Sequence, residues 1–419
     1  MLSPLITPDQ IKSPRLAEIC LLSAFLFFLP LYEAPKNVAL YVYLIVKIKY
    51  VIKSRQLPKI STRIDFPLFA IFILSLLTVI STRNWSSGLQ IFEFLFLTLL
   101  FLFVKETKWD IARHLPRFLT ALLLGTLLAL IEGLFTGEPF PSLRSVGHIN
   151  QVAIFLTISY IIFAASTIYE TLALRNVVLF IAFTSFIFLT DSRNAIFSLV
   201  LFLTLYSLII VVKNIYSVKK VALFCLVALI SICALSITNQ EPLKKQLQHL
   251  NDGSLDNARM ALWRTSLFVW QKQPLLGYGV GSFREATSET SVKKLLEREN
   301  QEYRIDEYFH TTHGHNLIFH WLVERGLIAT SLLIFWLGTL CLLAVPGFFE
   351  NKMEKSPAPN SKTAGSFLPS IMILFCVFST LVLGAGNTTL HKEHGLLTIF
   401  FLGFSISTLI SKSQKFDVR

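Results

Sequence analysis

Apolar runs recur along this chain at close to the length needed to cross a bilayer. Twelve windows qualify: 16–32, 38–52, 66–82, 89–104, 118–135, 152–169, 176–190, 194–212, 220–238, 326–346, 367–384 and 395–411. A helix of about 20 apolar residues spans roughly 30 Å of hydrocarbon. The expected fold is therefore all-α and polytopic, with about twelve transmembrane helices. The window 38–52 is the weakest, because Lys47 and Lys49 interrupt it. The first window follows Lys12 and Arg15, which resembles a signal peptide, but further spans follow at once and it reads as a retained helix.

Composition agrees. The chain is 53% hydrophobic and 15% charged, with 37 phenylalanines. Soluble domains carry about 25% charged residues, so this chain has too little polar surface to coat a globule in water. All five cysteines (Cys20, Cys225, Cys233, Cys341 and Cys376) lie in apolar runs, which argues against a disulfide framework or a Cys-ligated metal.

The net charge of +12 suggests nucleic acid until the basic residues are placed. With the N-terminus inside, the inner segments hold Lys12 and Arg15; Lys47, Lys49, Lys53, Arg55, Lys59 and Arg63; Lys105, Lys108, Arg113 and Arg117; Arg175; Lys213, Lys219 and Lys220; Lys352, Lys355 and Lys362; and Lys412, Lys415 and Arg419. The short outer loops hold only Lys36, Arg83, Arg144, Arg193 and Lys392. This several-fold excess sets the orientation, so the charge is mainly a topology signal. It places one long polar loop, 240–314, outside. Long loops carry little topology information, but a basic outer loop at a membrane suits an anionic ligand. The stretch 351–365 reads as a flexible inner linker.

Three outer segments carry candidate chemistry. In the turn TDSRN, Arg193 either snorkels to the interface or serves a site; an outer turn is where the positive-inside rule disfavours arginine. Asp191 is a possible ion-pair partner. In the second segment, Asp256 or Asn257 is expected to cap a helix from about Ala258, with Arg259 in its first turn, where backbone N–H groups favour an anion. Met260, Leu262, Trp263, Leu267, Phe268 and Trp270 suit a helix on a membrane surface. Pro274 ends it, and Gly277, Gly279 and Gly281 form a flexible turn that lacks the strand and Gly-Lys-Ser/Thr of a phosphate loop. The third segment, HTTHGHNLIFHWLVERGL, holds His310, His313, His315 and His320. A metal site lacks a nearby acidic cluster. A general base is open, since histidine titrates near neutral pH, with Asn316 orienting it or a substrate. Polar histidines capping a helix are the plainer alternative.

Together these segments resemble the bacterial O-antigen ligases, within a superfamily that includes O-antigen polymerases and protein O-oligosaccharyltransferases. The resemblance covers most of the chain. It rests on FLPLYEAPKNVAL near the start; on Ser192, Arg193, Asn194 and Ala195; on Arg259, Trp263, Pro274, Gly277 and Gly279; and on His315, Asn316, Glu324 and Gly326. It implies an inner-membrane glycosyltransferase with a mostly helical periplasmic loop between the ninth and tenth spans. The expected organisation is spans one to nine over 1–239, the loop with its catalytic segments over 240–325, and spans ten to twelve with a short tail over 326–419.

By the same resemblance, Arg193 and Arg259 hold the diphosphate of an undecaprenyl-diphosphate-linked O-antigen, and His315 acts on an acceptor hydroxyl of lipid A–core. His313 crowds this motif. Asn316, Trp263, His313 and His148 are expected as substrate contacts, with interfacial packing the alternative for His148. No metal, nucleotide or other cofactor is expected. The runner-up functions are O-antigen polymerase and protein O-oligosaccharyltransferase; the compact chain end leans toward the lipid A ligase. A polysaccharide transporter is a different class. It calls for charged groups near the midplane, where Glu93 and Glu132 are the main buried-acid candidates, each near a span end.

Overall fold

The computed structural model describes residues 15–55, 58, 61, 63–82, 88–136, 141–167, 174–213, 254–304, 307–349, 367–390 and 392–416. Every regular element among them is helical. In chain order the helices are α1 (Leu16–Phe28), α2 (Glu33–Ser54), α3 (Phe66–Thr82), α4 (Gly88–Lys105), α5 (Ile111–Phe135), α6 (Ile149–Thr167), α7 (Leu174–Leu189) and α8 (Arg193–Val212). They continue as α9 (Ser254–Lys272), α10 (Phe283–Ala286), α11 (Glu289–Glu297), α12 (Leu317–Phe349), α13 (Phe367–Gly386) and α14 (Lys392–Phe416).

A helix occupies each apolar window except 220–238, which lies outside the described residues, as do residues 240–253 and the stretch 351–365. Among the described residues, six helical stretches are long and apolar enough to cross a membrane: Ile111–Phe135, Ile149–Thr167, Arg193–Val212, Leu317–Phe349, Phe367–Gly386 and Glu393–Ser411. Leu16–Phe28, Phe66–Ile80 and Asn176–Leu189 are apolar but shorter.

Helix α13 packs against α6, α8, α12 and α14, and α14 packs against α4 and α6. Helix α1 packs against α2 and α5, and α3 joins α4 to α12. Without water between them, such helices associate through side-chain packing, and the many phenylalanines supply it. Phe101 meets Trp336 edge-on at 5.6 Å, Phe118 meets Phe400 at 5.2 Å, and Phe202 meets Phe375 at 4.9 Å.

The two lysines that weaken the second window do not interrupt α2. Lys47 pairs with Glu18 of α1 at 2.7 Å and donates to Thr107 Oγ1 at 2.7 Å, while Lys49 is exposed. A buried charge needs such partners. The buried acids differ from those expected. Glu93 is exposed, and Glu132 bonds an exposed Arg144 at 3.1 Å. The acids buried in the helical body are Glu18, Asp65, Glu324 and Glu393. Lys105 pairs with Asp65, and Lys36 with Glu393, with Ser145 Oγ 3.3 Å from Lys36 Nζ. These partners come from distant parts of the chain, so no local pattern announces them.

The segment after α9 docks on a break in α12. Gly326 is non-helical, with φ 70° and ψ −176°. An unbroken helix would pair Val323 O with Leu327 N–H and Glu324 O with Ile328 N–H. Instead, Tyr278 N–H donates to Val323 O (2.8 Å) and Gly279 N–H to Glu324 O (2.9 Å). Leu327 N–H donates to Pro274 O (2.8 Å) and Ile328 N–H to Leu275 O (3.3 Å). Two helical bonds are thus exchanged for four between segments, which pairs the groups the break would otherwise leave open. The glycine run is a fixed clasp rather than a flexible turn. Gly277, at φ 71°, sits where a Cβ would lie 2.6 Å from Glu324 C, so the backbones approach without side chains.

Gly326→Ala should be among the most destabilising changes in the chain. Its Cβ would lie 2.2 Å from Leu275 O, on a backbone that non-glycine residues rarely adopt. The conformation alone costs about 1–3 kcal/mol. Gly338→Ala is the control, because a Cβ there meets nothing within 4 Å. Thermal unfolding in detergent should show a large loss for the first and none for the second; equal unfolding temperatures would contradict the clasp.

Candidate functional site

Helix starts position most of the candidate residues. Asp191, in the left-handed region at φ 54°, reverses the chain after α7, and Arg193 is the first residue of α8. Asn194 Nδ2 donates to Leu383 O at 2.7 Å, which fixes this start against the last turn of α13. The start of α12 docks on the same turn. Asn316 Oδ1 accepts from Ile318 N–H (2.9 Å) and Phe319 N–H (3.2 Å), a side-chain cap, and its Nδ2 donates to Ala385 O (3.0 Å). Asn194 and Asn316 therefore anchor the Arg193 and His315 segments to carbonyls two residues apart on α13. Asn316 is engaged as a cap and an anchor, a role its sequence position did not reveal.

His315 itself adopts φ 44°, a left-handed conformation uncommon outside glycine. Its side chain is partly buried. Burial, with the Arg259 guanidinium and His148 adding to it, holds the His315 imidazole below the usual histidine value. Three sequence candidates from separate segments thus share one electrostatic environment: His148 just before α6, Arg259 on α9, and His315 just before α12.

Arg259 is exposed and stands in the second turn of α9, because that helix starts at Ser254 rather than near Ala258. The side chains of Asp256 and Asn257 lie outside what is described. Any anion contact at Arg259 depends on its own guanidinium, not on the helix end. Helix α9 is held down by Leu262 and Val269, which join Phe283, Val292, Leu296 and Val323 in a separate small core. Met260 remains exposed. Trp263 packs against Phe319 with ring centroids 5.6 Å apart. Its Nε1 is buried, with no hydrogen-bond partner among the described residues.

The remaining histidines separate by environment. His310 Nδ1 lies 2.5 Å from Thr287 O and its Nε2 2.9 Å from Tyr303 O–H, with the ring stacked on Tyr303. Both nitrogens are thereby engaged within the loop. His320 is buried in α12, its ring on Phe283 at 4.8 Å. His313 lies beside it, with ring centroids 6.1 Å apart. Sequence reasoning gave no role to Lys36, Ser145 or Glu393, whose cluster packs beside the turn leading to His148. A lysine in a segment expected to lie outside and otherwise poor in basic residues was the available signal.

Residues 177–334 match the family model described as O-antigen ligase. The matched segment contains Arg193, Arg259, Trp263, His313, His315 and Asn316, and it includes the clasp between residues 274–279 and Gly326; His148 lies before it. A search of curated proteins finds no match. The apolar helices make the chain a multi-pass membrane protein, and its segment 177–334 is similar to the O-antigen ligase family.

Proposed function

We propose that the chain transfers O-antigen polysaccharide from undecaprenyl diphosphate to a sugar of lipid A–core at the periplasmic face of the inner membrane. The observation that carries this reading is the left-handed, partly buried His315 under the influence of Arg259 and His148, inside the family-matched segment. In this account the chain crosses the membrane twelve times, and the loop between the ninth and tenth spans folds over the outer helix ends.

His315, neutral because its pKa is lowered, takes the proton from the acceptor hydroxyl. That oxygen attacks the anomeric carbon of the lipid-linked glycan. The carbon–oxygen bond to the diphosphate breaks, and its electron pair leaves with undecaprenyl diphosphate. Arg259 and Arg193 neutralise the charge that develops on the leaving group, where a planar fork matches phosphate oxygens. Trp263, His313 and His148 contact the substrates. A single displacement inverts the anomeric carbon. The donor already carries the driving force, so the reaction needs no nucleotide.

This chemistry has a pH signature. Transfer is lost as His315 gains its proton, so the acid limb of the rate profile should fall below the ordinary histidine value of about 6.5. His148→Asn removes a neighbour that lowers His315 and should move that limb to higher pH. A profile with no acid limb would remove His315 as the base.

Deleting the gene tests the acceptor. Loss of capped lipopolysaccharide with accumulation of lipid-linked O-antigen supports the ligase. Single-repeat lipopolysaccharide instead identifies a polymerase, and loss of a glycosylated protein identifies a protein-directed transferase.

A further inference from the structure

The loop that presents His315 has no regular structure of its own between residues 308 and 316. What it rests on is a buried pair in the first turns of α12. Gly314 N–H donates to His320 Nδ1 at 3.4 Å. His320 Nε2 lies 3.5 Å from Glu324 Oε1, one turn further along. The His320 ring is pressed on Phe283 at 4.8 Å and 30°. Glu324 Oε1 also accepts Phe283 N–H at 3.3 Å, which ties the same carboxylate to the end of the glycine clasp.

Gly314 is packed on this pair. A Cβ added to it would lie 3.1 Å from His320 Cβ and 3.1 Å from Phe283 Cε2. A ring that accepts at Nδ1 must be neutral and carry its proton on Nε2. A carboxylate beside Nε2 selects that tautomer, as second-layer carboxylates do for other functional histidines.

We infer that Glu324 and His320 are positioning residues: Glu324 fixes the tautomer of His320, and His320 holds the Gly314 backbone so that His315 faces Arg259 and His148. This inference rests on the reading of His315 as the base. It explains why a buried carboxylate and a buried imidazole sit directly beneath the loop. The charged and titratable groups facing His320 are Glu324 and Arg325 on its own helix and His313 and His315 on the loop. Those facing His315 are Arg259, His148 and His320 itself.

Two substitutions separate the two ring nitrogens. Asparagine places an acceptor near the Nδ1 position, and glutamine places polar atoms near Nε2. Both lose the ring and its contact with Phe283, so they control for packing. In the purified full-length protein, with lipid-linked O-antigen as donor and lipid A–core as acceptor, His320→Asn should keep most of the wild-type kcat. His320→Gln should lower kcat by about a hundredfold, the scale of an ångström-sized misplacement, with the donor KM unchanged. Its acid limb should also move to higher pH as His315 leaves its buried position, which simple loss of folded protein would not cause.

Gly314→Ala, which pushes the loop off His320, should reproduce both effects and serves if His320→Gln does not fold. Wild-type kcat in His320→Gln and Gly314→Ala overturns the inference, as does an equal loss in His320→Asn and His320→Gln with an unmoved acid limb. His315→Ala, measured alongside, separates the two levels. Activity in His315→Ala defeats the base itself. An inactive His315→Ala with a wild-type His320→Gln defeats only the positioning role.

Discussion

His315→Ala lowers glycan transfer by about 10²–10⁴-fold, the range that a general base contributes, while the protein stays folded in the membrane. The neighbouring histidines provide the contrast. His313→Ala should be less damaging, since His313 lies against His320, while Arg259 and His148 act on His315. His310 is held by Thr287 O and Tyr303 O–H, so His310→Ala should lower thermal stability more than the chemical step. Rates of purified variants with saturating donor and acceptor read this order directly. A larger loss in His313→Ala than in His315→Ala would move the base to His313.

Arg259→Ala and Arg193→Ala should each cost about 10²–10³-fold in the rate, the scale for removing one group that stabilises developing negative charge. Arg259 is exposed, so its loss leaves no buried partner stranded and folding should survive. Arg259→Lys is informative, because an ammonium keeps the charge but not the planar fork. It should recover only part of the activity. Normal transfer in both alanine variants would remove the diphosphate clamp. The two effects should not add, because both residues act on the same leaving group.

The helices were largely legible because apolar length is a local property. The windows 118–135, 194–212 and 367–384 became Ile111–Phe135, Arg193–Val212 and Phe367–Gly386. The ion pairs were not legible. Lys47 with Glu18 and Lys36 with Glu393 join different helices, and Lys105 of α4 meets Asp65 just before α3, and a sequence shows only that each charge is awkward. In the sequence Lys47 weakens its helix; in the fold its partner on α1 makes it part of the packing.

The same division runs through the site. Arg193, Arg259 and His315 stood out by motif, His315 because Asn316 follows it, but the contacts of His310 with Tyr303 and Thr287 and of His320 with Phe283 come from segments that no spacing connects to them. The glycines at 277 and 279 announced a turn. That the turn mates with a helix break at Gly326 follows only from the exchange of backbone hydrogen bonds. The start of α9 at Ser254 also moved Arg259 out of the first helical turn. That shift removes helix-end help and leaves the guanidinium as the contact.

The most direct measurement is transfer by the purified protein in detergent, with undecaprenyl-diphosphate-linked O-antigen as donor, lipid A–core as acceptor and the product linkage determined. The expected result is a joined product with inverted anomeric configuration, released undecaprenyl diphosphate and no nucleotide requirement. A product of retained configuration, a trapped glycosyl–enzyme adduct, or no joining by folded wild-type protein would contradict it.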